Sequence, residues 1–121
     1  MLKNLFGSRK PKDKFSLENL KYLYSQLVRE PQINNNNKAR IVEILRTIAE
    51  LMIWGDQHNP AFFDFFAEKS ILANFVKILS QNKLDSKVKI QVIQTLSILI
   101  QNTDSEISIF YLFGLNIIPL K

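Results

Sequence analysis

An all-α solenoid fragment of five to six helices is the fold this sequence predicts, on three observations. Apolar residues recur at intervals of three and four along most of the chain, the spacing of one helical face. Helix-start and helix-stop residues fall between these runs. The order of short and long helices then repeats with an offset in the middle forties.

The 121 residues are 46% hydrophobic and 22% charged, enough for one domain and too apolar for a disordered chain. There is no cysteine, which excludes disulfides, thiolate nucleophiles and thiolate zinc sites. No run approaches 18 uncharged apolar residues, and MLKNLFGSRKPKDK at the start lacks the apolar core and cleavage site of a signal peptide. These features predict a cytosolic chain. The net charge of +5 is concentrated at one end, where Lys3, Arg9, Lys10, Lys12 and Lys14 face a single carboxylate, Asp13. Beyond residue 14 the charges are close to balance, so the sequence divides into a basic arm over 1–14 and a helical domain over 15–121.

The first helix starts at Ser16, a capping residue flanked by Phe15 and Leu20 at hydrophobic-staple spacing. Leu17, Leu20, Leu23, Tyr24, Leu27 and Val28 form its apolar face, and Pro31 with the polar residues up to Asn37 ends it. The run Asn34 to Asn37 reads as an exposed loop. Lys38 to Trp54 is the clearest helix, apolar at Ile41, Ile44, Leu45, Ile48, Leu51 and Met52, with Gly55 placed to stop it. Asn59 before Pro60 caps a short helix reaching Glu68. Its phenylalanines at 62, 63, 65 and 66 cannot share one narrow stripe, so this helix is covered on more than one side or forms a contact surface.

Ser70 restarts the chain as a helix over 71–79, with Ile71, Leu72, Phe75, Val76 and Leu79 inward. Ser86 to Gln101 is a longer helix whose buried face is read as Val88, Val92, Ile93, Leu96, Leu99 and Ile100. Thr103 to Glu106 is a capping box opening a last short helix with Ile109, Phe110, Leu112 and Phe113.

Laid side by side, Phe65, Phe66, Ile71 and Leu72 match Tyr111, Leu112, Ile117 and Ile118 at an offset of 46. Ile44, Leu45, Ile48, Leu51 and Met52 match Val92, Ile93, Leu96, Leu99 and Ile100 at an offset of 48. A short, a medium and a long helix at this period describe an armadillo/HEAT-like right-handed α-solenoid. About one full unit and parts of its neighbours are present, so the sequence predicts a piece of a longer array, incomplete at its C-terminus.

The residues offer little to catalysis. His58 is the only histidine, which rules out a relay triad or a histidine metal site within one chain. There is no GxGxxG and no phosphate-binding loop, and Asp64 with Glu68 reads as a hydrated helix face. Asp56 and His58 fall in what reads as a polar loop after Trp54, and Trp54 itself reads as an anchor closing the side of the core. No cofactor, metal, nucleic acid or small-molecule substrate is expected: the aromatics follow core spacing and the charges are scattered. The arm is the exception, because Phe6 beside Lys3, Arg9, Lys10, Lys12 and Lys14 gives an apolar tip with cations suited to weak contact with an anionic membrane.

Leu20-Lys21-Tyr22-Leu23-Tyr24, Ile53-Trp54-Gly55-Asp56-Gln57 and Phe63-Asp64-Phe65-Phe66 resemble the FPL domain, the amino-terminal domain of the Ema-type endosomal and autophagy regulators. Gln91 to Leu99 and Glu106 to Leu112 are similar to later segments of the same domain. The resemblance implies a non-enzymatic scaffold that binds other proteins, including ubiquitin-ligase and trafficking components. It further implies a cytoplasmic location at endosomal, lysosomal or Golgi membranes. Leu20, Tyr22, Tyr24, Trp54, Asp56, Phe63, Phe65 and Phe66 are the candidate interaction or structural anchors.

Overall fold

The computed structural model of the chain describes residues 10–30 and 32–103. Among these residues there are five α-helices and no strand: α1 (Leu17–Val28), α2 (Lys38–His58), α3 (Ala61–Glu68), α4 (Ile71–Leu79) and α5 (Ser86–Gln101). The short helix expected around Ile109 to Phe113, the matching positions up to Ile118, and Lys3, Phe6 and Arg9 lie outside the described residues.

Ser16 caps α1 as its chemistry requires: its backbone is extended and its Oγ accepts from the Asn19 amide at 3.1 Å. Leu20, Leu23 and Leu27 are buried and hold α1 against α2. Val28, expected inward, is 47% exposed. It lies about 100° round the helix from Leu27, off the edge of the buried stripe. The helix then stops short of Pro31, which disfavours helical backbone at Glu30.

The asparagine run is a structured turn rather than a merely exposed loop. Asn34 Oδ1 accepts from the Asn36 and Asn37 amides at 2.8 and 3.0 Å, and Asn37 Oδ1 accepts from the Asn34 amide at 2.8 Å. Asn37 is only 4% exposed, and its Nδ2 donates to Glu30 Oε1 and to the Gln32 carbonyl. Short amide side chains substitute for secondary structure here, satisfying the backbone between two helices.

Helix α2 is the centre of the molecule, packing on α5 most extensively and also on α1 and α3. It does not end at Gly55 but continues to His58, so Gly55 is not its stop signal. The glycine serves close approach instead: a Cβ there would meet Phe62 Cβ and Cγ at 2.5 Å. Next, Asn59 Oδ1 accepts from the Ala61 amide at 3.0 Å and Pro60 takes a helical φ of −63°, turning the chain into α3. Ser70, with φ 53°, is the one non-glycine residue of positive φ among the described residues, and it makes the sharp corner between α3 and α4.

Helix α4 spans the expected 71–79, but Ile78 is buried where Val76 and Leu79 are only half-buried. Helix α5 also has the expected bounds, capped by Asp85, whose carboxylate accepts from the Lys87 amide at 3.0 Å. Its buried stripe is Val88, Val92, Thr95 and Leu99. Thr95 is admitted because its hydroxyl bonds back to the Gln91 carbonyl at 2.9 Å. Ile93, expected inward, is 51% exposed, and Leu96 and Ile100 are half-buried. The stripe facing α2 is narrower than the apolar face of the helix.

Helices α2 and α5 run in the same direction. Lys38 at the start of α2 pairs with Asp85 at the start of α5 at 3.3 Å, and Ala49 and Ile53 share a groove with Thr95 and Ile98 nearer the other ends. The preceding loop is joined to its counterpart as well, since the Ile33 amide donates to Gln81 Oε1 at 3.0 Å, 48 residues on. Parallel long helices linked through a short helix pair are compatible with the repeat read from the sequence.

Candidate interaction surface

Two neighbouring features gather the singled-out residues: an aromatic cluster at the C-terminal end of α2, and a basic cleft between α1 and α2. Trp54 is at the centre of the first. The single tryptophan of the chain lies 5.6 Å from the Phe15 ring, 4.4 Å from the His58 ring and 5.4 Å from the Phe62 ring. His58 is stacked on it at 7°, and its Nδ1 lies 2.7 Å from the Trp54 carbonyl. A carbonyl can only accept, so Nδ1 carries the proton in this contact. The extension of α2 beyond Gly55 creates this stack by placing His58 one turn after Trp54. Sequence reasoning put His58 and Asp56 in a loop; both belong to the last turn of α2, with Asp56 partly exposed.

A second aromatic contact joins α1 to α3. Tyr24 meets Phe65 edge-on at 5.7 Å, and Lys21 Nζ lies 5.8 Å from the same ring. Phe63 stacks with Phe66 at 6.1 Å. The four phenylalanines therefore divide between duties, Phe62 and Phe66 being buried while Phe63 and Phe65 are half-buried. Leu20 is fully buried and belongs to the core, as does Phe66. Tyr22, Tyr24, Trp54, Phe63 and Phe65 keep part of their surface in solvent.

The basic cleft has a volume of about 590 Å³ and is lined by Lys10, Lys12, Lys14, Tyr22, Gln26 and Arg40, among others. The arm is held to the body where it enters this cleft. Lys14 Nζ pairs with Glu50 at 3.0 Å, Phe15 meets Trp54, and the Asn19 side chain donates to the Lys14 carbonyl at 3.0 Å. Arg40, Gln26 and Thr47 were not singled out from sequence, because nothing in linear spacing shows which polar residues of α1 and α2 share a cleft.

The electrostatics of the region are structural in kind. Arg40 hydrogen-bonds Glu30 and, with Asn37, holds its carboxyl below the ordinary glutamate range. The Lys87 amide, then Lys38, does the same for Asp85. In both cases hydrogen bonds at a helix end favour the charged carboxylate. Among the described residues no group of three or more His, Asp or Glu side chains is placed to hold a metal ion.

The family model described as FPL, an uncharacterised conserved protein, matches residues 45–119. The chain is a member of the FPL family. The match takes in the C-terminal part of α2, with Trp54 and His58, together with α3, α4 and α5. Relatives of the FPL chain include the protein TRANSPARENT TESTA 9 of Arabidopsis thaliana, 48% identical over 105 residues. The CLEC16A homolog of Drosophila melanogaster is 46% identical over 112 residues, and CLEC16A of Homo sapiens 43% identical over 101. These alignments cover 87%, 92% and 84% of the chain but only 12%, 10% and 10% of the relatives. The chain thus spans about a tenth of their length. No solved structure matches it.

Proposed function

We propose that this FPL chain is a non-enzymatic protein-binding scaffold segment acting in endosome-to-lysosome trafficking and in the control of autophagy and mitophagy. Its place would be the cytoplasmic side of endosomal, lysosomal or Golgi membranes, with trafficking or ubiquitin-ligase components as partners. The observation carrying this reading is family membership, with 40–48% identity to the CLEC16A proteins and TRANSPARENT TESTA 9 across most of the chain. The half-exposed Tyr22, Tyr24, Trp54, Phe63 and Phe65 supply the amphipathic aromatic surface that protein interfaces favour. No helix among the described residues is long and apolar enough to cross a membrane.

A segment swap tests this. The matched residues of the Drosophila relative are replaced by this chain, and delivery of endosomal cargo to lysosomes is measured in cells lacking that relative. Restored delivery, lost again with Tyr24→Ala and Phe65→Ala together, is the expected result. A folded swap that fails to restore delivery, or one indifferent to the double substitution, would count against the proposal.

A second reading is favoured by the cleft: residues 1–14 act as a basic arm touching anionic membrane, with residues 15–121 as the domain behind it. Lys10, Lys12 and Lys14 gather at one side of α1 and α2. Each cation near a negative leaflet contributes about 1 kcal/mol, so binding should be weak and salt-sensitive. Flotation with phosphatidylserine vesicles should show binding at low salt, lost when Lys10, Lys12 and Lys14 become glutamine. Binding that survives high salt would argue against this reading.

A further inference from the structure

The long helices α2 and α5 are equivalent at an offset of 48, and the structure shows what each does with equivalent residues. On α2, Val42, Leu45 and Ala49 are 5%, 0% and 3% exposed. Val42 and Ala49 line the grooves shared with Val88, Thr95 and Ile98 of α5, so this is the side that α5 covers. Adding 48 gives Ile90, Ile93 and Ser97 on α5. Ile90 and Ile93 are 54% and 51% exposed, and Ser97 is half-buried. They fall within about 60° of one another on the helix, as their α2 counterparts do. Two isoleucines flanking a small residue reproduce on α5 the surface that α2 presents to its neighbour, with Ser97 in the place where Ala49 lets the helices approach.

We infer that the Ile90–Ile93–Ser97 face of α5 is the docking surface for a third long helix, parallel to α5 and belonging to the next repeat unit. Its seat is offset by one period, as the contacts already seen are: the Ile33–Gln81 bond spans 48 residues and the Lys38–Asp85 pair spans 47. The occupant is a helix of this family's own type, with an inward stripe like Val88, Val92, Thr95 and Leu99. By the same offset it would start about 48 residues after Ser86, beyond residue 121. The matched relatives carry about nine-tenths of their length outside the aligned region, which leaves room for it. The inference rests on the repeat and is independent of the trafficking role.

The test supplies the proposed third helix in trans. The 121-residue chain is titrated with the stretch of about 45–50 residues that includes the next long helix, taken from the Drosophila relative downstream of the matched region. Calorimetry should show binding. Ile90→Glu with Ile93→Glu should weaken it roughly tenfold or more. Because both residues are exposed, the far-UV dichroism and melting temperature of the free chain should be retained. Ser97→Trp is a second, uncharged block, filling the close approach without adding charge. Three results would overturn the inference. They are absence of binding, binding indifferent to both variants, and sedimentation of the chain as a dimer that the double variant converts to monomer. The last would give the face to a second copy.

Discussion

Replacing Gly55 with alanine puts the packing of α2 against α3 to a quantitative test. The added Cβ would lie 2.5 Å from Phe62 Cβ and Cγ and 2.8 Å from Cδ2. Carbon atoms settle at about 3.5–4.0 Å, so the two backbones must separate by about 1 Å. No rotamer relieves the clash, because a Cβ is fixed by its own backbone. Phe62→Leu would not relieve it either, since leucine keeps both Cβ and Cγ. Overpacking of this kind costs about 1–3 kcal/mol, while alanine in a helix gains about 1 kcal/mol over glycine. The expected net effect is a loss of about 0–2 kcal/mol, lowering the melting temperature by up to roughly 8 °C for a chain of this size. A thermal melt followed by far-UV dichroism and by Trp54 emission measures it, since Phe62 also touches Trp54 at 5.4 Å. A raised melting temperature would refute the reasoning, for it would mean that helix propensity acts alone and Phe62 does not rest on Gly55.

Asn37→Ala removes a buried side chain that bonds Glu30, Gln32 and the Asn34 amide, and should cost about 1–3 kcal/mol by chemical denaturation. Asn35→Ala, on an exposed residue of the same run, should stay within about 0.5 kcal/mol. Since Glu30 and Asp85 are held below their ordinary ranges, the unfolded chain takes up protons before the folded one as pH falls. The melting temperature should therefore be level from neutrality to about pH 5 and fall as the medium approaches the folded carboxylates' own titration. Glu30→Gln should make that fall shallower. Phe15→Ala and His58→Ala each uncover part of the only tryptophan, so each should red-shift its emission at a cost of about 0.5–1.5 kcal/mol.

Helix boundaries were largely legible because local chemistry writes them: Ser16 and Asp85 bond the amides that open their helices, and Asn59 with Pro60 turns the chain into α3. Faces were less legible. Ile93 and Leu99 are equally apolar, and periodicity places both on one broad stripe. Only the third dimension separates the side that α2 covers from the side it leaves open. Thr95 was missed for the opposite reason, as a polar residue that satisfies itself within its own helix. Gly55 was misread because glycine has two uses, a left-handed stop or a close approach, and the choice depends on Phe62 seven residues later. The same uncertainty ran through the aromatics: spacing could not divide Phe62 and Phe66 from Phe63 and Phe65, whereas the covering of α3 by both α1 and α2 does so.

The fastening of residues 13–19 has an electrical consequence. Asp13 accepts from the Phe15 amide, Ser16 donates to the Asp13 carbonyl, and Lys14 is tied to Glu50, so Lys10 and Lys12 project from a root anchored on α1 and α2. A charge on a loose tether pulls a body toward a surface without turning it. A charge whose root is fixed to one flank exerts a torque. Near any negatively charged plane this molecule would rotate its α1–α2 flank inward within a Debye length, about 8 Å at physiological salt, before touching it. The surfaces left facing outward would then be decided by where the arm is fastened.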